Sequence, residues 1–145
     1  MKVASWIFNG ILLVCLAFSS TVAMSAPTKG MFTIITAAEP EVQMMALVLT
    51  QEAEKKGHYV RIMLCGSAGS LALHNSEETL LKPINRSPQT LLRGFIKRGV
   101  TVNVCPLFLP NRGLKPDQLL DGVGIGKPPE GIGAMLEENI QLFSF

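Results

Sequence analysis

The residues of this sequence most able to do covalent chemistry are two cysteines, Cys65 and Cys105, each at the end of a short apolar run. The runs, residues 59–65 and 100–105, are rich in β-branched and large apolar side chains and predict strands. A thiol reacts as its thiolate, which requires partial exposure and a nearby positive charge or amide donor. Arg112, in the loop after Cys105, is the candidate for that charge, and the amides around Leu107 and Phe108 are the candidate donors.

Pro106 directly follows Cys105 and disfavours the α-helical conformation at that cysteine. We therefore expect the chain to leave the strand into a loop, with the thiol accessible to solvent. The alternative for each cysteine is a structural role, because cysteine is often found buried as a small apolar residue.

The spacing of the potential ligands predicts neither a metal site nor a cofactor. A metal site of the common kind needs three or four convergent ligands, and the Cys and His residues here lack C-x-x-C or H-x-x-x-H spacing. Residues 66–70 follow a strand but lack the Lys-Ser/Thr of a P-loop and the full glycine spacing of a dinucleotide fingerprint. We expect a plain turn there.

The first half of the chain alternates between strand and helix patterns. Residues 31–36 predict a buried strand, and a helix from Pro40 to the cap at Gly57 follows it. The apolar residues of this helix recur at helical spacing, which predicts the face that it buries. These residues are Val42, Met45, Ala46, Leu49 and Ala53. Residues 59–65 form the second strand, and residues 71–86 are expected to hold a short helix and a loop.

The second half repeats the alternation. Ser87 and Pro88 are the cap and first residue of a helix that runs to about Arg98, and the third strand spans residues 100–105. The remaining predicted elements are a short helix near 116–121, a weak strand at 123–126, a helix at about 129–139 and a strand at 141–145. Strands alternating with helices predict an α/β fold with a mainly parallel sheet that helices cover on both faces.

The carboxyl ends of parallel strands meet at one edge of a sheet, where reactive groups and ligands gather. If the second and third strands are neighbours, Cys65 and Cys105 lie close together at that edge. A disulfide between adjacent parallel strands would be strained and easily reduced, which would make it a switch.

The N-terminus has the layout of a secretory signal. Lys2 precedes an apolar stretch at residues 6–18, and small residues then lead to Pro27. The stretch is shorter than the roughly 20 residues that span a bilayer. We expect residues 1–25 to be a cleavable signal and residues 26–145 a single domain, periplasmic or secreted and without membrane insertion after cleavage.

The composition argues against a nucleic-acid partner. Charged residues make up 17% of the sequence and the formal net charge is +2. The basic residues form no run or stripe of the kind that binds phosphate backbones.

Several segments together resemble one protein family. They are residues 98–105, 111–113 and 121–123 and the closing Ile-Gln-Leu-Phe-Ser-Phe of residues 140–145. These segments are similar to DsrE/DsrF-like proteins, which include sulfur-relay proteins of the TusD and YchN types. The resemblance spans residues 26–145 and is clearest from Ser87 onward.

The resemblance implies a three-layer α/β/α sandwich with a parallel five-stranded sheet, and a homo-oligomer, trimer or hexamer. It also implies that Cys105 carries a persulfide, as a sulfurtransferase-like carrier without a cofactor, between sulfur donor and acceptor proteins or small sulfur compounds. Two alternatives stay open. One is a non-enzymatic oligomeric module that contacts another subunit through residues 107–109, and the other is a thiol-disulfide redox protein that uses Cys65 and Cys105.

Overall fold

The structure, a computed structural model, describes residues 30–145, and the predicted signal at residues 1–25 lies outside them. Five strands form one all-parallel sheet: β1 (Gly30–Ile35), β2 (Tyr59–Leu64), β3 (Thr101–Val104), β4 (Val123–Ile125) and β5 (Ile140–Ser144). Their order in the sheet is β4-β3-β2-β1-β5. The predicted five-stranded parallel sheet is confirmed.

Three helices cover the sheet: α1 (Pro40–Lys55), α2 (Pro88–Lys97) and α3 (Pro128–Met135). α1 and α2 pack on one face through the larger apolar cluster, which contains Leu47 and Phe95 and alternate strand residues such as Ile62. α3 packs on the other face through a smaller cluster centred on Phe32, Met63 and Ala134. This arrangement is the predicted α/β/α sandwich, with one face much more fully covered than the other.

The buried face of α1 differs from the predicted one. Its buried residues are Gln43, Met44, Ala46, Leu47 and Thr50. Of the five residues predicted to be buried, Val42, Met45 and Leu49 are exposed, at 37%, 54% and 44% of their surface. The helix is therefore turned by about one residue, roughly 100°.

Two buried polar side chains account for this rotation. Thr50 shares a hydrogen bond of 2.7 Å with Thr33 of β1 and also donates to the Ala46 carbonyl at 2.8 Å. The Gln43 amide donates to the carbonyl of Ala37 at 2.8 Å. A buried polar group costs little when its hydrogen bonds are made, so this face is acceptable even though the sequence pattern favours the other.

α2 begins as predicted. The Ser87 hydroxyl oxygen accepts a hydrogen bond from the Thr90 amide at 3.0 Å, and Pro88 occupies the first turn. Leu92 and Phe95 are fully buried in the larger cluster.

The segment after β2 is a 3-10 helix, Gly66–Ala72, where the sequence predicted a plain turn. The fully buried Gln89 of α2 anchors it, because the Gln89 amide donates to the carbonyls of Leu71 at 3.0 Å and Leu73 at 2.9 Å. Turns and a bridge between Leu81 and Arg86 replace the short helix predicted within residues 71–86.

This 3-10 helix also packs against the loop that follows β3. The Phe108 ring lies on Gly69 so closely that a Cβ atom at Gly69 would be 2.3 Å from the ring. Phe108 is itself buried, at 2% exposure. The contact joins the two segments that leave β2 and β3 at the same edge of the sheet.

We predict that Gly69→Ala destabilises the protein, because the new methyl group must displace a buried aromatic ring. Overpacking of this kind costs about 1–3 kcal/mol. The loss is measured as a lower free energy of unfolding in urea.

Gly133→Ala in α3 is the matched control, since a Cβ atom there meets nothing within 4 Å. Replacing a helical glycine with alanine in open space is expected to stabilise by up to about 1 kcal/mol. Equal stability of the Gly69→Ala variant and the wild type would contradict the close contact with Phe108.

Candidate functional site

Cys65 and Cys105 are the first residues beyond β2 and β3, and the hydrogen-bond ladder of the sheet extends to both. β2 and β3 are parallel neighbours in a register that places Leu64 beside Val104. The Cys65 amide donates to the Ile35 carbonyl at 2.8 Å, and the Cys105 amide donates to the Leu64 carbonyl at 2.8 Å. The two cysteines are therefore adjacent in the sheet, as the prediction of neighbouring strands required.

The two thiols interact with each other. Both cysteines are free and half-buried, and their side chains form a hydrogen bond. Burial, together with the charge and the hydrogen bond of Cys105, raises the pKa of the Cys65 thiol to about 11. Loss of charge stabilisation on burial is the expected cause of such a shift for an acid.

The raised pKa keeps the Cys65 thiol protonated at neutral pH, so Cys65 is able to donate a hydrogen bond toward the Cys105 sulfur. A donor beside a sulfur stabilises negative charge on it, and this is a requirement for a nucleophilic thiol.

The thiols lie on the α3 side of the sheet. Side chains alternate between the faces of a strand, and Cys65 packs with Phe32, Met63 and Ala134 of the smaller cluster. A groove of about 490 Å³ extends over this face. Its lining runs from Met63 and Gly126, near the carboxyl edge, to Arg61 and Glu137.

The groove contains polar residues that the sequence analysis did not single out. The signal was present in the alternation of β2, where Arg61, Met63 and Cys65 share one side. The same holds for β3, where Asn103 is two residues before Cys105. The predicted coverage of both faces of the sheet by helices leaves no room for such a polar groove, and the structure shows one over the α3 face.

Arg112 lies on the exposed side of the loop after β3. Its guanidinium lies over the Phe108 ring, 4.6 Å from the ring centroid. A cation above an aromatic ring gains about 0.5–1 kcal/mol at an exposed site. The contact that the structure gives Arg112 is thus with Phe108, and its influence on the Cys105 thiol remains a prediction.

The loop amides near Cys105 were a second candidate for stabilising a thiolate. The Phe108 amide donates to the Cys105 carbonyl at 2.9 Å, and the Ala68 amide donates likewise to the Cys65 carbonyl at 3.2 Å. Both amides therefore shape the turns that follow the strands.

Within residues 30–145, no three or more His, Cys, Asp or Glu side chains are grouped closely enough to hold a metal ion. None of the helices described is both long and apolar enough to cross a membrane.

The sequence matches no protein-family model and no curated protein. Solved structures do match. The YchN protein from E. coli aligns at 21% identity over 81% of this chain and 99% of its own, with a TM-score of 0.67. MTH1491 of Methanobacterium thermoautotrophicum, a protein of unknown function, aligns at 16% identity over 81% of this chain and 98% of its own, with a TM-score of 0.59. The chain therefore has the fold of YchN and MTH1491, as its resemblance to the DsrE/DsrF-like family predicts.

Proposed function

We propose that this protein is a sulfur carrier that holds a persulfide on Cys105. The observation that carries the proposal is the thiol pair at the carboxyl edge of the sheet, where Cys65 and Cys105 are adjacent and their side chains are hydrogen-bonded. The resemblance to DsrE/DsrF-like relay proteins supports the same role for Cys105.

The chemistry is thiol-persulfide exchange. The Cys105 thiolate attacks the terminal sulfur of a donor persulfide, R–S–SH, which forms Cys105–S–SH and releases the donor thiolate R–S⁻. An acceptor thiolate then attacks the terminal sulfur of Cys105–S–SH, and Cys105 returns to its thiolate. No net oxidation occurs and no cofactor is needed.

Cys65 supports this chemistry as a proton donor. Its thiol stays protonated at neutral pH because burial and Cys105 raise its pKa to about 11. A protonated neighbour is a poor nucleophile, so it does not attack the persulfide readily. If it does attack, the products are a Cys65–Cys105 disulfide and H₂S, and the stored sulfur is lost.

A thiol-disulfide redox protein is the second candidate function, and the adjacency of the two cysteines favours it. Neighbouring parallel strands lie about 4.8 Å apart, which is within the Cα separation of about 4.4–6.8 Å that a disulfide requires. The third candidate, a contact surface made by residues 107–109, has less support. Phe108 and Leu109 are buried inside the chain and only Leu107 is exposed.

We propose that the protein exchanges sulfur with partners in the periplasm or outside the cell. Donor and acceptor proteins, or small sulfur compounds, reach the thiols at the open edge of the sheet. The signal-like sequence of residues 1–25 supports action in the periplasm or outside the cell. The exposed apolar residues Val42, Met45 and Leu49 on α1 support self-association as a trimer or hexamer.

We predict that the reduced protein gains the mass of one or more sulfur atoms when it is incubated with polysulfide and analysed by mass spectrometry. Cys105→Ser is expected to lose this gain and Cys65→Ser to keep it, because only Cys105 carries the sulfur. Equal loading of the Cys105→Ser variant would falsify the assignment.

The same mass spectra distinguish a sulfur carrier from a thiol-disulfide redox protein. Protein isolated without reductant should show two free thiols if it is a sulfur carrier. A mass that lacks two hydrogen atoms, restored by mild reduction, would instead favour the Cys65–Cys105 disulfide.

We also predict an unusual pH profile for alkylation of Cys65. Its thiolate should form near pH 11 instead of near the ordinary value of 9.0. Well below both values it therefore contains about 100-fold less thiolate than an ordinary thiol. The alkylation rate of Cys65, followed by mass spectrometry, should keep rising up to about pH 11.

Cys105→Ser is the informative variant for this measurement. Removing the charge and hydrogen bond of Cys105 lowers the pKa of Cys65, whereas burial, the largest cause, keeps that pKa above 9.0. A wild-type Cys65 alkylation profile centred at pH 9.0 would contradict the raised pKa of this thiol and burial as its cause.

We predict that the protein is exported from the cytoplasm. The protein should be recovered from the periplasm with an N-terminus near Met24 or Ala26, because the small residues that precede Pro27 suit signal cleavage. N-terminal sequencing and light scattering of that fraction give the cleavage site and the number of subunits. Recovery of soluble cytoplasmic protein that retains residues 1–20 would contradict export.

A further inference from the structure

Three sulfur-containing side chains lie near one another on the α3 side of the sheet, at its carboxyl edge. Cys65 and Cys105 lie side by side, with a hydrogen bond between their side chains. Met63 is two residues before Cys65 on the same side of β2, and both side chains belong to the cluster beneath α3. These three side chains all offer soft donors.

The position of the Met63 thioether follows from its contact with Gly126, the first residue after β4. The chain leaves β4 at Gly126, whose amide donates to the Val104 carbonyl at 2.8 Å. A Cβ atom at Gly126 would lie 3.3 Å from the Met63 sulfur and 2.8 Å from its methyl carbon. The Met63 side chain thus extends from β2 across β3 toward β4, over the strand that ends at Cys105.

We propose that the thiolates of Cys65 and Cys105, with the thioether of Met63, form a binding site for Cu(I). Soft thiolate and thioether ligands suit Cu(I), Zn²⁺ and iron–sulfur clusters, whereas hard cations prefer oxygen ligands. Cu(I) accepts two or three sulfur ligands, so a pair of cysteines with one methionine is a complete set.

Zn²⁺ fits this donor set poorly. Structural zinc sites have four ligands and catalytic ones have three from the protein. Within residues 30–145, no third His, Cys, Asp or Glu joins the two cysteines. The lack of a third such ligand among these residues and the presence of a thioether both favour the softer ion.

Binding is a proton-for-metal exchange without a change in oxidation state. Cu(I) displaces one proton from each thiol, and two Cu–S bonds replace the two S–H bonds. The product carries one net negative charge on the pair. Met63 adds its sulfur lone pair and releases nothing. An oxidant is not required, and the reduced thiols are the binding form.

The sulfurs are partly shielded from water and remain accessible from the edge of the sheet. Met63 is buried, at 8% exposure, and both cysteines are half-buried. Water is therefore kept from one side of the site while the edge of the sheet stays open for entry. Glycine at position 126 matters here, because a side chain would push against the Met63 thioether.

The test is an anaerobic titration of the fully reduced wild-type chain with Cu(I), in competition with the chelator bicinchoninate. We expect one Cu(I) per chain, with only sulfur ligands in the copper X-ray absorption spectrum. Cys65→Ser and Cys105→Ser should each weaken binding by more than about 100-fold, because even a lost outer partner of a ligand costs about 10- to 100-fold. Met63→Leu, which conserves volume, should weaken it by about 10-fold.

Met44→Leu is the matched control, because Met44 is buried like Met63 but lies on α1 in the larger cluster, on the opposite face of the sheet from the thiols, so its loss should leave the affinity unchanged. Circular dichroism confirms that each variant is folded. Copper binding that survives in Cys65→Ser would overturn the proposal, and so would one Cu(I) shared between two chains. The outcome is independent of sulfur loading, since Cys65→Ser is expected to lose copper and keep the persulfide.

Discussion

The parallel pairing of β2 with β3 is the constraint on which the candidate site depends. The Cys105 amide reaches the Leu64 carbonyl at 2.8 Å, which extends the ladder one residue past the regular strands. A shift of one residue along either strand would turn one thiol to the opposite face of the sheet, because side chains alternate. The register is fixed by the apolar residues of both strands, Ile62 and Leu64 beside Val102 and Val104, which are all buried under α1 and α2.

Unequal coverage of the two faces explains how reactive groups coexist with a stable fold. The face under α1 and α2 holds the larger apolar cluster, and most of the stabilisation from burial lies there. The opposite face is covered by the eight residues of α3 and leaves an open groove. The thiols are on this thinner side. Two contacts steady the segments next to them, the Gln89 amide on Leu71 and Leu73 and the Phe108 ring on Gly69.

Sulfur transfer and copper binding require different things of the same pair. The proposed sulfur transfer uses Cys105 as the nucleophile and Cys65 as a protonated neighbour. The proposed copper site needs both protons to leave, which the metal itself brings about because it bonds to thiolates. The two proposed activities are therefore mutually exclusive at any moment. A protein that binds copper through both sulfurs cannot accept sulfane sulfur on Cys105.

The sequence by itself determined the α/β class and the order of the main elements. It also determined the cap of α2 at Ser87 and the placement of both cysteines at strand ends. These features depend on local periodicity and on turn and cap residues. It did not determine which face α1 buries, since the hydrogen bonds of Thr50 and Gln43 are made to other parts of the chain. Nor did it show that Met63 packs in one cluster with Cys65, or that Phe108 needs a glycine at position 69. Those facts were decided by the tertiary structure, because the distance between residues remote in the chain is set by strand order and register, which no short stretch of sequence contains.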